Sequence, residues 1–311
     1  MIDILEQELV NISEELFNIL LKDRTTQKNI CWATDYYISR GIAYYPQEPI
    51  VKDLIAGQNT KVIRPRVAKI FEEKNKRTKE KAEVFTPSWL CNEQNNLIDE
   101  AWFERKNVFN FSKGKFWIST KEPIIFSEKK NWKNYVDARR LEISCGEAPY
   151  IVSRYDTVTG KEIPLKERIG LLDRKLRVVN ENTTEEEEWF KWVKRAYESI
   201  YGYEYQGDSL LIARENLFYT FVENMEYKFS HKPTEKQMKI IARIISWNIW
   251  QMDGITMSVP YSERPRVKKQ LTIFEMNGNK EDDKEPIPCK IYDWRANNSL
   301  EFKDVINGGE D

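Results

Sequence analysis

Two acids in this sequence stand where strand-like runs end, and their order along the chain, after a turn of small residues, points to one ligand. Glu142 lies in Leu141-Glu142-Ile143-Ser144-Cys145-Gly146, which reads as the end of a strand entering a tight turn. Glu204 follows the strand-like run 200–203, and Asp253 follows the run 247–252. An acid at the end of a second strand is placed to accept hydrogen bonds from two ribose hydroxyls, the role that suits Glu204. An acid after the third strand reaches an adenine amino group, the role that suits Asp253. A turn of small residues such as Cys145-Gly146 lets the backbone come close to a ligand. Open α/β sheets bind their ligands at the carboxyl ends of the strands. The residues therefore predict a nucleoside-containing cofactor, with nicotinamide dinucleotide and S-adenosylmethionine both open at this point.

The elements that must position these acids are legible as periodicity. Residues 3–22 carry Ile4, Leu5, Leu9, Ile12, Leu16, Ile19 and Leu20 at helical spacing. The stretch 28–63 is aromatic and irregular, and 64–83 is rich in Lys and Arg, a candidate for DNA or partner contact. Thr86 suits an N-cap and Pro87 the first position of a helix running to about Ile98. Residues 104–135 read as an insertion with short strands, and 154–182 as a polar segment with a turn at Thr159-Gly160. Helices are expected over 185–199, 208–229 and 234–245. Residues 277–288 are polar, and 290–294 with 299–302 form a hairpin pattern. The division expected is an N-terminal helical and aromatic region (1–80), a cofactor-binding core (81–260), and a polar linker with a C-terminal β-hairpin (261–311).

Composition narrows the function classes. The 311 residues carry 49 Lys plus Arg against 50 Asp plus Glu, so binding to DNA by overall charge is excluded and any contact must come from a local patch or a partner. The four cysteines (Cys31, Cys91, Cys145, Cys289) are dispersed and His231 is the one histidine, which leaves no zinc site at ordinary ligand spacing. His231 sits in a polar connection between helices, a poor place for a catalytic triad base. No apolar run reaches spanning length and no signal peptide is evident, so a cytoplasmic protein without a membrane partner is expected.

The residues around the acids also resemble a known family. The segment 141–151 is similar to the cofactor loop of the adenine-N6-specific DNA methyltransferases of type I and type IIG restriction-modification systems, the (D/E)-P-x-C-G-x-G-x-(F/Y)-L pattern. Phe85-Thr86-Pro87 resembles that family's (F/Y)-T-P motif, which holds the methionine end of S-adenosylmethionine. Tyr201-Gly202-Tyr203-Glu204 with Ala213-Arg214-Glu215-Asn216-Leu217 looks like a third family element, and 248–254 like the segment carrying the adenine-contacting Asp. The resemblance covers roughly residues 80–255, and the chain as a whole looks like proteins labelled restriction endonuclease subunit M. Ile143 stands where the family has proline and Ala148 where it has a second glycine.

The resemblance implies an α/β fold with a Rossmann-like class I methyltransferase core, its sheet either complete or incomplete, and S-adenosyl-L-methionine as cofactor. Phe85, Thr86, Pro87, Glu142, Cys145, Gly146, Ala148, Glu204 and Asp253 are the implied cofactor-binding residues. The family's catalytic (N/D/S)-P-P-(Y/F/W) motif has no counterpart, because the sequence contains no Pro-Pro pair. No catalytic residue is therefore assigned, and a partner polypeptide carrying that NPPY motif, an endonuclease or specificity subunit, is expected to complete the enzyme on DNA. The alternative is a catalytically inactive interaction or scaffold subunit of a phage-defence complex. No metal is needed for either.

Overall fold

Ser13 interrupts the apolar periodicity at the amino terminus and decides the first contact of the fold. Its hydroxyl accepts the Leu16 N–H at 3.4 Å, so the expected single helix divides into α1 (Glu6–Ile12) and α2 (Glu14–Leu21). A computed structural model describes residues 6–69, 86–265 and 284–308. Short 3-10 turns follow through the aromatic stretch, where Trp32, Tyr37 and Tyr44 cluster, and α3 (Lys52–Ile55) is a single turn.

The helix expected from Thr86 begins one residue later than the sequence suggests. Pro87 is the cap and α4 runs Ser88–Phe103; the Ser88 N–H is satisfied by the Asp156 carboxylate at 3.3 Å rather than by a local hydroxyl. The short strands expected in the insertion are β1 (Asn110–Lys113) and β2 (Phe116–Ser119), which pair as an antiparallel hairpin, followed by α5 (Trp132–Asp137) with an Asn131–Asn134 capping box. Strand β3 (Arg140–Glu142) then enters the main sheet.

The segment 154–182 does not stay irregular as its polarity suggests. Its second half is α6 (Leu171–Asn182), with Leu172, Leu176, Val178 and Val179 all fully buried. Its polar residues mislead because they are also buried and paired: Arg174 Nη1 meets Asp99 Oδ2 at 2.6 Å, and Lys175 donates to the Ala138 carbonyl and the Ser199 hydroxyl. After it come α7 (Glu186–Glu198), β4 (Ile200–Glu204), α8 (Gly207–Phe229), α9 (Glu235–Asn248) and β5 (Ile249–Gln251), in the order the sequence predicts.

The result is a mixed helix-and-sheet fold whose centre is a parallel sheet of order β3-β4-β5. The register sets Glu142 beside Gly202 and Glu204 beside Gln251. Ile200 and Ile249 face the main core with α6–α9, while Tyr201, Tyr203 and Trp250 point to the opposite face. That opposite face is covered by the carboxyl-terminal strands. Paired strands β6 (Arg264–Pro265) and β7 (Lys284–Glu285) precede β8 (Lys290–Asp293) and β9 (Asn298–Glu301), and α10 (Phe302–Ile306) closes the chain's described part. Phe302 packs on Tyr203 and Trp250, and the Tyr201 hydroxyl donates to the Tyr292 carbonyl. The hairpin thus spends Ile291 and Leu300 on the chain's own sheet.

The amino-terminal region shares the main core rather than standing apart. Gln251 Oε1 accepts the Cys31 N–H at 2.9 Å while its Nε2 donates to the Cys31 carbonyl at 2.8 Å, and the Gly207 N–H donates to the Trp32 carbonyl at 3.0 Å. Arg214 locks the other side: its guanidinium donates to the carbonyls of Leu20, Lys22, Ser246 and Ile249. Residues 70–83 of the basic stretch, and most of the polar run 277–288, lie outside the described residues.

Candidate functional site

The loop after β3 takes its shape from three left-handed residues. Ser144, Gly146 and Ala148 have φ of 48°, 55° and 63°, so the chain turns tightly at every second position. Such a conformation is easy only for glycine. Ala148 holds it because its N–H donates to the Cys145 carbonyl at 2.7 Å and its own carbonyl accepts from Ile151 and Val152. Cys145 continues the sheet ladder through its N–H to the Tyr203 carbonyl at 2.8 Å, and its thiol packs beside Gly202, where a Cβ would stand 3.3 Å from the sulfur. The loop is therefore seated on β4 by a residue without a side chain.

Glu204 and this loop meet directly. Glu204 Oε2 accepts the Gly146 N–H at 2.9 Å, and Oε1 accepts the Gln206 N–H at 3.0 Å. The residue is nearly buried, and burial raises its pKa against the pull of those two amides. A carboxylate offers about four lone-pair directions, so one on each oxygen is left beyond these bonds. Glu142 lies on the same strand ends. Its Oε2 is buried without a hydrogen-bond partner, and burial lifts its pKa well above the ordinary range; the Tyr150 and Ile151 amides offset part of this, and the Glu204 charge adds to it.

Thr86 reaches this group through Tyr150. The Tyr150 hydroxyl faces the Thr86 side chain and donates to Gln94, while the Thr86 carbonyl accepts from the Thr157 hydroxyl at 2.9 Å. Thr86, Glu142, Cys145, Gly146, Ala148 and Glu204 are thus assembled at one end of the sheet, with Pro87 beside Thr86 as the cap of α4. Phe85 lies outside the described residues. Asp253 follows β5 as expected, but its Oδ1 closes a local turn by accepting the Ile255 and Thr256 N–H groups at 2.8 and 3.2 Å.

Several residues that organise this end had no signal in the sequence. Glu147 is buried and accepts the Arg66 N–H and the Tyr155 hydroxyl, each at 2.6 Å, while Asn216 donates to its carbonyl at 3.2 Å. At the start of α8, Asp208 accepts the Tyr37 hydroxyl at 2.8 Å and pairs with buried Lys69 at 3.5 Å. Lys69 belongs to the basic stretch, and it is turned inward rather than offered to a polyanion. Only the position of Asp208 just after a strand end hinted at a role.

The charged cavity and the histidine stand apart from this end of the sheet. A cavity of about 610 Å³ lies between α2 and α9, lined by Arg24, Arg243 and Lys239 among others, and shares no lining residue with the site. His231 is exposed beside Glu186 at 3.1 Å. All four cysteines are buried free thiols, and burial with the Glu142 and Glu204 charges pushes the Cys145 thiol well above its usual range. Among the described residues no group of three His, Cys, Asp or Glu could hold a metal ion, and no helix is long and apolar enough to cross a membrane. No family model, curated protein or solved structure matches the chain.

Proposed function

We propose that this chain is the S-adenosylmethionine-binding modification subunit of an adenine-N6 DNA methyltransferase, with a Rossmann-like class I core whose catalytic NPPY motif comes from a partner. One observation carries the reading: the carboxyl ends of β3 and β4 bring together the left-handed loop 144–148, Glu142 and Glu204, with Glu204 bonded to the loop backbone at Gly146. The residues fit the cofactor. Glu204 keeps lone pairs beyond its two amide bonds that suit ribose hydroxyls, Glu142 has an orphaned buried oxygen, and the left-handed loop is half-buried at Gly146, which carries no side chain. Thr86 would take the methionine end and Asp253 the adenine, through the oxygen its turn does not use.

The bound cofactor supplies an electrophilic methyl group on sulfur. The chain's own residues orient it; the target adenine must be flipped out of the duplex to reach it. The order β3-β4-β5 leaves the outer side of β3 without a paired strand among the described residues, and Leu141 and Ile143 beside it are exposed. An uncovered edge of this kind is where a partner's strand adds.

A second reading is an inactive scaffold subunit of a defence complex. It is favoured by the fact that both Glu204 oxygens already accept backbone N–H groups and the strap 31–32 lies over the β4–α8 junction. Calorimetry separates the two. Saturable S-adenosylmethionine binding that Glu204→Ala weakens about 10-fold or more, a loss of about 1.4 kcal/mol at the least, fits the subunit. An absence of heat with the wild-type chain, alone and with its partner, leaves the scaffold.

A further inference from the structure

The β1–β2 hairpin is inside out. Its register pairs Asn110 with Ser119, Phe111 with Ile118, Ser112 with Trp117 and Lys113 with Phe116. Directly opposed residues share a face, and faces alternate along each strand. One face therefore holds Asn110, Ser112, Trp117 and Ser119, and the other Phe111, Lys113, Phe116 and Ile118. The polar face is the one turned to the protein. Asn110 is buried and exchanges amide hydrogen bonds with Asn92 at 2.7 and 2.9 Å; Asn92 and Asn96 each reach the Ser112 hydroxyl at 3.2 Å, and Trp117 Nε1 donates to the Glu167 carbonyl at 2.7 Å. The apolar face is turned to solvent, with Phe111, Phe116 and Ile118 exposed by 50%, 55% and 56%.

Hydrophobic residues scattered singly on a surface need no explanation, but three on one face of a two-stranded ribbon form a contact surface. Its charge says what it contacts. From Arg105 to Lys121 the chain carries Arg105, Lys106, Lys113, Lys115 and Lys121 and no acid, within a molecule of net charge −1. All five cations are exposed and none pairs with an acid among the described residues; Arg105 is held on the Ile125 carbonyl and the Phe103 ring, which leaves the four lysines to a ligand. Lys113 and Lys115 flank Gly114 at the tip, which takes the left-handed conformation with φ of 62°. A two-stranded ribbon fits the major groove of B-form DNA, where lysines reach phosphates and apolar side chains meet base edges and thymine methyls.

We propose that the outer face of the β1–β2 hairpin is a duplex-DNA contact surface. The inference deepens the proposed function and rests on it for the choice of DNA. The test uses the full chain, with its partner if one co-purifies, and a labelled duplex of about 20 base pairs, roughly two helical turns. Phe111→Ser with Ile118→Ser should weaken binding about 10-fold or more, while leaving the melting temperature unchanged because the inner-face hydrogen bonds remain. Lys113→Gln with Lys115→Gln should lower the slope of log K against log salt by about 2, one for each phosphate no longer neutralised. Unchanged affinity and slope in both variants would overturn the proposal. So would a wild-type dimer that the apolar variant turns into monomer, since a second copy would then be the occupant. Calorimetry with S-adenosylmethionine keeps the two readings apart: the hairpin variants should retain cofactor binding. A wild-type chain that binds DNA through the hairpin but no cofactor would sink the methyltransferase reading alone.

Discussion

Gly207→Ala puts the seating of the amino-terminal strap on the sheet to the sharpest test. Gly207 opens α8 directly after β4, and its N–H holds the Trp32 carbonyl at 3.0 Å. An added Cβ would lie 3.0 Å from the Cys31 carbonyl carbon and 3.0 Å from Ile50 Cδ1, and closer still to the Cys31 carbonyl oxygen. The obstacle is backbone, which cannot rotate aside as a side-chain tip does. Overpacking of this sort costs about 1–3 kcal/mol. Moving the strap also strains the Gly207–Trp32 bond and the paired Gln251–Cys31 bonds, each worth about 1 kcal/mol. The sum is about 4–6 kcal/mol, which at roughly 2 °C per kcal/mol for a chain of this size lowers the melting temperature by roughly 8–12 °C. Gly254→Ala is the control, because its Cβ would meet only the ring edge of Tyr203 at 3.2 Å and should cost less than about 1 kcal/mol. Calorimetric or circular-dichroism melts of both variants decide the matter. Equal melting temperatures for the two would refute the claim that the strap is wedged against the start of α8.

Two further perturbations probe the buried charges. Glu142 has a folded pKa above its unfolded value, so its contribution to stability is present below the ordinary carboxylate range and is lost as pH rises through the folded pKa. Glu142→Gln removes that loss, so its melting temperature relative to wild type should rise as the pH is raised above the ordinary carboxylate range; a flat difference would show the carboxyl to be well solvated. Arg214 is fully buried, its pKa pushed down to about 9 chiefly by burial, and four backbone carbonyls accept from its guanidinium. Arg214→Met should cost about 3–5 kcal/mol in denaturant unfolding, because it leaves those carbonyls unsatisfied at the junction of α2, α9 and β5; a loss under about 1 kcal/mol would mean that water replaces the guanidinium.

Local sequence determined most of the elements. Helices α7, α8 and α9, strands β4 and β5, the short strands of the 104–135 insertion and the β8–β9 hairpin follow from apolar periodicity and turn residues, which are properties of a few neighbouring side chains. The positions of Glu142 and Glu204 at the ends of short strands, and of Asp253 beyond one, were legible for the same reason. Tertiary structure decided the rest. Helix α6 hides from periodicity because Arg174 and Lys175 are buried against Asp99, Ala138 and Ser199, partners distant in sequence. The α4 start moved from Pro87 to Ser88 because Asp156, not a neighbour, satisfies its first N–H. The C-terminal hairpin was readable as a hairpin, but that it covers the sheet face at Tyr203 and Trp250 was not. Nor could the chain's alternation alone say that Phe111, Phe116 and Ile118 face solvent. A period of two assigns residues to faces; which face turns inward depends on what waits there, and here Asn92 and Asn96 on α4 took the polar one.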